Sequence, residues 1–341
     1  MKAARIHAHG GPEMFRVEEV PDPVIGPNDV LVRQFGTSLN HRDVWLRKGL
    51  PGATFQIPLP HVLGIDVAGE VVEVGPEVRS LRRGDRIVSN PFIACGRCRA
   101  CLRLRPEVCA SIDIANGAYA ELVAVPEARA MKISDSVPAA SAACFANTYI
   151  TAWEMLVRKA RITPDDTVFI WAGTSGLGSA AIDIASIIGC DIITTAGSDE
   201  KFAFLSGGRA SLVINHHHDD VVARVAEYTN GDGASVVFEH VGSATIQRTV
   251  DLAASGARIV SCGLTSGRML ELDVVTMIMK QFSMTGSCLG TMASARAAVA
   301  QLNRGRLSPL IGRRMPLDSI VEAHEFLESG KAIGKIMIEF N

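Results

Sequence analysis

Four cysteines crowded into CGRCRACLRLRPEVC are the densest chemistry in this sequence. Cys95, Cys98 and Cys101 stand two residues apart, and Cys109 follows after seven more. A turn at each interval points successive sulfurs inward, so the four thiolates can wrap a tetrahedral Zn2+. Four protein ligands leave no open coordination position, so the expected role is structural. The arginine-rich loop also has little apolar surface to hold it folded without a metal. The other cysteines, Cys144, Cys190, Cys262 and Cys288, lie apart in apolar surroundings and read as small core residues.

A second pattern is AGTSGLG at 172–178. The preceding run Thr167–Ala172 is rich in β-formers, and Ala181, Ile184, Ala185 and Ile188 then repeat at helical spacing. Strand, tight glycine turn and helix bring unpaired N–H groups and a partial positive charge to a point where a pyrophosphate can approach the backbone. Gly173, Thr174, Ser175, Gly176, Leu177 and Gly178 are therefore candidate cofactor contacts, with Gly263 at the end of a later strand-like segment. Two polar islands, GTSLNHRDVWLRKG (36–49) and PLPHVLGIDVAG (58–69), set His, Asp and Asn among apolar residues, where such side chains need partners if buried. His216, His217 and His218 followed by Asp219 and Asp220 read as a solvated loop, because three consecutive residues cannot all face one ion.

The elements that must position these groups follow from patterning. Segments at 3–8, 15–20, 29–34, 67–74 and 86–88, broken by Gly and Pro, predict a β-rich first domain, with a further strand at 118–125. A long helical connection over 138–156 leads into the glycine turn. Apolar runs at 191–196, 211–215, 235–241, 257–263 and 282–288, mostly separated by helical segments, predict a doubly wound parallel α/β sheet. Helices over 294–304 and 317–329 and a closing strand at 335–340 complete the chain. The chain has 341 residues, of which 48% are hydrophobic, enough for about two domains with buried cores. A formal net charge of −2 with no long basic run gives no support to a nucleic-acid surface. Small molecules are the expected partners, and nucleic acid and membrane are not. No signal core and no apolar run long enough to span a bilayer is found, so the expected location is cytoplasmic.

Together, GTSLNHRD with Arg47 and Gly49, GIDVAGEVVEVG (64–75), RRGDRIV (82–88), the cysteine lobe, AGTSGLG and a closing GKI-type strand resemble the medium-chain dehydrogenase/reductase superfamily. The resemblance implies a GroES-like catalytic domain over 1–147 with a structural zinc lobe at 95–109. It also implies a Rossmann dinucleotide-binding domain over 148–290 and a segment 291–341 that completes the catalytic domain. Zinc alcohol dehydrogenases hold a catalytic zinc with two Cys and a His, at positions that here carry Asn40, Ile65 and Asn147. An isoleucine cannot bind zinc. The pattern Asn40, Asp43, Arg47 instead looks like the zinc-independent quinone oxidoreductase and enone reductase branch, although that branch usually lacks the cysteine lobe.

What the resemblance implies is an NADPH-dependent reductase of an activated double bond, enone or quinone. Its enolate would meet fixed hydrogen-bond donors rather than a Lewis acid. Asn40 and Asn147 would line the substrate cleft and Thr151 would lie near the nicotinamide. His41 would contact the cofactor or relay a proton, and Asp43 and Arg47 would form a structural pair behind them. His61 could reach the cleft or cap a turn. Two alternatives stay open: an alcohol dehydrogenase or carbonyl reductase with a displaced metal on His41, His61 and Asp66, and a non-enzymatic cofactor-binding protein of the same fold. NADP(H) over NAD(H) is expected because the second strand of the dinucleotide unit ends in Gly197-Ser198 with Lys201 beyond, an arrangement like that of NADP-dependent relatives. A homodimer joined through the edge strand at 282–288 is the expected assembly.

Overall fold

The computed structural model describes residues 1–50 and 57–340, which form two compact units: residues 1–150 with those from 291 onward, and residues 151–290. In the second unit six strands lie parallel in the spatial order Leu212–Asn215, Asp191–Ala196, Thr167–Ile170, Ala234–Glu239, Ala253–Ser261, Ser283–Gly286. Strand order reverses on either side of Thr167–Ile170, which pairs Val168 with Ile192 on one flank and with Val236 on the other. This is the doubly wound arrangement, in which ligands sit beyond the strand ends at the reversal. Phe169, Ile193, Ile214, Val237 and Ile259 fill one shared core. The helix Gly176–Ile188 starts where the Ser175 hydroxyl accepts from Gly178 N at 2.9 Å, and it stops at Gly189, whose φ of 94° closes the C-terminus in a left-handed turn.

Two boundaries in this unit differ from the sequence-based expectation for a steric reason and a pairing reason. The strand expected over 257–263 runs Ala253–Ser261. Gly263 lies beyond its end, where a Cβ would collide with the His240 carbonyl, so only glycine allows that approach. The edge strand shortens to Ser283–Gly286 because its register is set by Arg258–Ser261 alone. At the strand ends a buried Glu239 accepts from Val241 N, Gly242 N and the hydroxyls of Thr245 and Thr249, at 2.6–2.9 Å, and Thr249 in turn accepts from Trp171 Nε1.

In the first unit the long strand Asp29–Ser38 is the hub. It pairs antiparallel with Ala68–Val74, Leu122–Pro126 and Lys335–Glu339. Its last residues were expected to open a polar island, yet they continue the strand. The Thr37 hydroxyl donates to the Asp66 carbonyl at 2.8 Å and Ser38 donates to the Asp66 carboxylate at 2.5 Å, so both are satisfied inside the sheet. The remainder of that island is the helix His41–Lys48. Ala118–Ala120, expected to belong to the following strand, instead bridges elements: Ala118 N and Tyr119 N donate to Gly64 O and Leu63 O, and Ala4 N donates to Tyr119 O. The helical connection expected over 138–156 is broken into Ala139–Ala143, Ala146–Trp153 and a π-helical turn Glu154–Lys159. The break at Cys144–Phe145 lets Phe145 stack on Tyr149 at 4.8 Å and turns Asn147 N toward Asp66 Oδ1, 2.7 Å away.

Asp43 and Arg47 do not form the expected pair. Arg47 is fully buried but bonds Glu328 and lies 3.3 Å from His324 Nδ1. Asp43 Oδ2 accepts from Tyr119 OH at 2.8 Å and from Asn40 N at 3.0 Å, while Oδ1 has no partner among the described residues. One helical turn separates Asp43 from Arg47, and the tertiary partners on each side outcompete the local one. Burial therefore pushes the Asp43 carboxyl up to about 6, against the opposing Tyr119 bond. Burial, aided by the Arg47 guanidinium, pushes His324 down to about 3.

The folded state holds the Asp43 proton more tightly than the unfolded state does. Its contribution to stability is therefore present below about pH 4 and is lost as pH rises through 6. Denaturant unfolding of the wild type and Asp43→Asn across this window isolates the effect from that of His324, which has the opposite sign. The wild type should lose on the order of 2 kcal/mol relative to the variant between pH 4 and pH 6. A constant difference between the two would contradict the assignment.

Candidate functional site

The first unit carries a buried polar network centred on Asp66. Its carboxylate accepts from Ser38 Oγ at 2.5 Å, Asn40 Nδ2 at 3.0 Å and Asn147 N at 2.7 Å, and it pairs with Lys335 Nζ at 3.4 Å. The two ion-pair side chains are 1% and 5% exposed, so water does not solvate either charge. Lys335 also donates to Leu39 O at 2.8 Å and to Asn40 Oδ1 at 2.6 Å, which uses all three of its protons. Asn40 Oδ1 accepts a second bond from Asn147 Nδ2 at 2.7 Å. These contacts fix both amide orientations: Asn40 must turn its NH2 toward Asp66 and Ser38 O, and its oxygen toward the two donors. Asn147 alone in this set remains half-buried, and among the described residues its second N–H and its Oδ1 make no further bond.

Asn40, Asp66 and Asn147 are thus brought together, and the structure adds Lys335, which sequence reasoning missed. The only signal was a charged residue opening the strand Lys335–Glu339 ahead of the apolar Ile336, Met337 and Ile338. His41 is exposed at the first position of its helix, and Ile65 is buried nearby in sequence to Asp66. His61 lies in the short strand His61–Val62, with Nε2 buried and unpartnered among the described residues, and burial lowers its proton affinity. His41, His61 and Asp66 do not gather as a ligand set. Among the described residues the four cysteines are the one group of His, Cys, Asp or Glu side chains close enough to hold an ion.

That group suits a metal. The sulfurs of Cys95, Cys98, Cys101 and Cys109 lie within 4.8 Å of one another, and no disulfide joins them. Cys95 N and Ser111 N each point at Cys109 Sγ from 3.3 Å. Backbone N–H groups of Cys101 and Ala110 hold the Cys98 thiol down to about 6, while burial and the neighbouring thiols push Cys101 up to about 12.

In the second unit the glycine turn is pinned to the adjacent strand. Ala172 N donates to Thr195 Oγ1 at 2.9 Å and Gly173 N to Thr195 O at 3.0 Å, and Thr174 is buried. Gly173 and Gly178 admit no side chain, since a Cβ would strike Thr194 Oγ1 or Ala172 O. Gly176 and Leu177 open the helix, so helix geometry leaves their N–H groups without an intrahelical acceptor. At the end of Asp191–Ala196, Ser198 caps the helix Asp199–Leu205 by accepting from Lys201 N at 3.2 Å. Asp199 Oδ1 is drawn to Asn215 Nδ2 at 2.7 Å and His218 Nε2 at 3.2 Å. His216, assigned from sequence to a solvated loop, is half-buried, with its ring against Gly197 and its Nδ1 shielded from solvent. Burial together with His217, Arg248 and Lys201 disfavours its charged form. Thr151 is buried, with a hydroxyl that has no partner among the described residues.

The sequence matches the alcohol dehydrogenase GroES-like domain over residues 26–135 and the zinc-binding dehydrogenase family over 176–304. L-threonine 3-dehydrogenase of Symbiobacterium thermophilum is 33% identical over 338 residues, covering 94% of this chain and 93% of that protein. The crystal structure of an NAD-dependent alcohol dehydrogenase matches over 100% of both chains with a TM-score of 0.93 and 35% identity. Escherichia coli quinone oxidoreductase complexed with NADPH matches over 99% of this chain and 100% of that one, with a TM-score of 0.85 and 25% identity. A GroES-like unit, a doubly wound dinucleotide-type sheet, a four-cysteine cluster and full-length similarity to these enzymes place the chain in the medium-chain dehydrogenase/reductase superfamily, as an oxidoreductase.

Proposed function

We propose that the protein reduces an activated C=C or quinone with NADPH and carries one structural zinc on Cys95, Cys98, Cys101 and Cys109. The observation that carries this reading is the bond from the Lys335 ammonium to Asn40 Oδ1. At the positions where alcohol dehydrogenases hold a catalytic zinc, this chain has two amides and the buried Ile65. A fixed cation already occupies the best oxygen among them. That donor set does not fit a zinc ion. An isolated carbonyl polarised by a metal is therefore a poor substrate model, whereas a conjugated acceptor needs only neutral donors at its oxygen.

When bound, NADPH supplies the hydride, which goes to the β-carbon of an enone or to a quinone ring. Electron density then moves to the carbonyl oxygen, where the second N–H of Asn147 is the candidate donor. Asn40, Asp66 and Lys335 hold that amide in place. Protonation of the enolate completes the addition of two electrons and two protons, with His41, at the exposed helix start, the candidate to relay a proton from solvent. Thr151 is proposed near the nicotinamide and the turn 173–178 with Gly263 at the pyrophosphate end.

Preference for NADPH is supported by Ser198 and Lys201 at the end of the second strand, and by Asp199 being turned to Asn215 and His218. A homodimer is supported by an apolar helix next to the edge strand. On Val274–Lys280, Val275 is 66% exposed, Ile278 61% and Met279 72%.

Purified protein treated with a chelator that spares the thiolate cluster should contain one zinc per chain and oxidise NADPH with 2-cyclohexenone or 1,4-benzoquinone. Two zincs, with activity lost on removing the weaker, would sink this reading, and Cys98→Ser should lose the single metal. Lys201→Ala should weaken NADPH binding about tenfold, about 1.4 kcal/mol, and leave NADH binding unchanged. Tighter binding of NADH by the wild type in the same titration would contradict the preference. In sedimentation at micromolar concentration the wild type should run as a dimer and Ile278→Glu as a monomer. A wild-type monomer would refute the assembly.

A further inference from the structure

We infer that Lys335 is the positioning residue of an oxyanion site, orienting through Asn40 the Asn147 amide that meets negative charge on the acceptor. The inference rests on the reading of the site as a reductase of conjugated acceptors, and it assigns to the closing strand a role that neither the motifs nor the relatives indicate.

The bond inventory supports it. Lys335 has no proton left for a ligand: Leu39 O, Asn40 Oδ1 and Asp66 Oδ2 take all three. Asn40 has none either, since its NH2 serves Ser38 O and Asp66 Oδ2. Asn147 keeps one N–H among the described residues, and the direction of that N–H is set by its partner, which donates to Asn40 Oδ1. The Lys335 ammonium donates to the same oxygen. A positive charge on that amide oxygen draws density from the Asn40 group and holds its carbonyl toward Asn147. Without it Asn40 Oδ1 keeps only the Asn147 bond, and the amide is held from its NH2 side alone, by Ser38 O and Asp66. The cation sits in a dry interior, where charge–dipole effects are strongest. Asp66 is needed for a separate reason: it neutralises Lys335, and through Oδ1 it anchors Asn147 N, so the same carboxylate fixes both ends of the device.

The atom balance requires no extra reactant. Hydride from NADPH forms the new C–H bond, the C=C π pair moves to become the enolate, the carbonyl oxygen gains charge against Asn147 Nδ2, and a solvent proton later quenches the enolate.

The test uses the full-length protein and three variants: Lys335→Met, Asp66→Asn as the baseline for the bonds the carboxylate itself makes, and the charge-balanced pair of the two, read against that baseline. The pair keeps the interior neutral and is the variant to use if the single change fails to fold. Two readouts are taken. One is steady-state reduction of 2-cyclohexenone and 1,4-benzoquinone by NADPH. The other is binding of 4-nitrophenolate, a stable oxyanion, in the presence of NADP+. The expected result is a loss of at least tenfold in kcat for the enone in the charge-balanced variant, with KM for NADPH unchanged. The loss should be smaller for the quinone, whose product anion needs less help, and nitrophenolate should bind at least tenfold more weakly. A merely structural role would lower both acceptors equally or be rescued by restoring neutrality, and either outcome overturns the inference. If the wild type reduces neither acceptor but binds nitrophenolate in a Lys335-dependent way, the reductase reading fails and the oxyanion site stands. If it does neither, both fail.

Discussion

A charge taken out of water must be matched where it lies, and in the GroES-like unit that requirement falls on Asp66 and Lys335. Their attraction alone does not repay desolvation; the surrounding bonds from Ser38, Asn40, Asn147 N and to Leu39 O are what make the pair tolerable. Ser38, Leu39 and Asn40 are consecutive where the hub strand passes into a helix, and Asn147 follows the break after Cys144, so one ion pair ties that junction, that break and the start of the closing strand together. Losing either charge alone would leave the other stranded, at about 3–5 kcal/mol.

Three buried carboxylates show how differently the same problem is solved. Glu239 meets it with neutral donors on both oxygens, two backbone N–H groups and two hydroxyls, and so ties together the strand ends of the dinucleotide unit. Asp66 meets it with a cation. Asp43 has two donors on one oxygen and none on the other, and its proton affinity rises accordingly. The first is a structural fixture, the second is the scaffold of the candidate site, and the third holds its proton more tightly than a free carboxyl does.

Much of the fold was legible in the sequence because its signals are local. Alternating β and α segments announced the parallel sheet, and glycines at Gly173, Gly176 and Gly178 marked the turn where a Cβ has no room or a helix begins. Cysteine spacing announced the cluster for the same reason: a short loop can bring Cys95, Cys98, Cys101 and Cys109 together by itself. The candidate site was legible only in part. Asn40, Asp66 and Asn147 stood out through motif positions, but Lys335 lies 269 residues from Asp66, and nothing in its neighbours says that it points inward at a carboxylate. The same blindness to distant partners explains why Asp43 and Arg47, one helical turn apart, were expected to pair and instead bond to Tyr119 and Glu328. His216 escaped because a run of histidines looks solvated until packing against Gly197 is known.

The strand Lys335–Glu339, inserted beside Asp29–Ser38, also orders events during synthesis. The dinucleotide unit is continuous from 151 to 290 and has all of its strands as soon as that stretch leaves the ribosome. The GroES-like unit does not: its hub strand lacks a neighbour, and Asp66 lacks its counter-ion, until residue 335 has been made. For that interval the nascent chain carries a finished nucleotide fold tethered to an open sheet with an unmatched interior acid. Until then the edge of Asp29–Ser38 that Lys335–Glu339 covers has no strand to pair with, and the contact that closes it spans nearly the whole length of the unit's sequence.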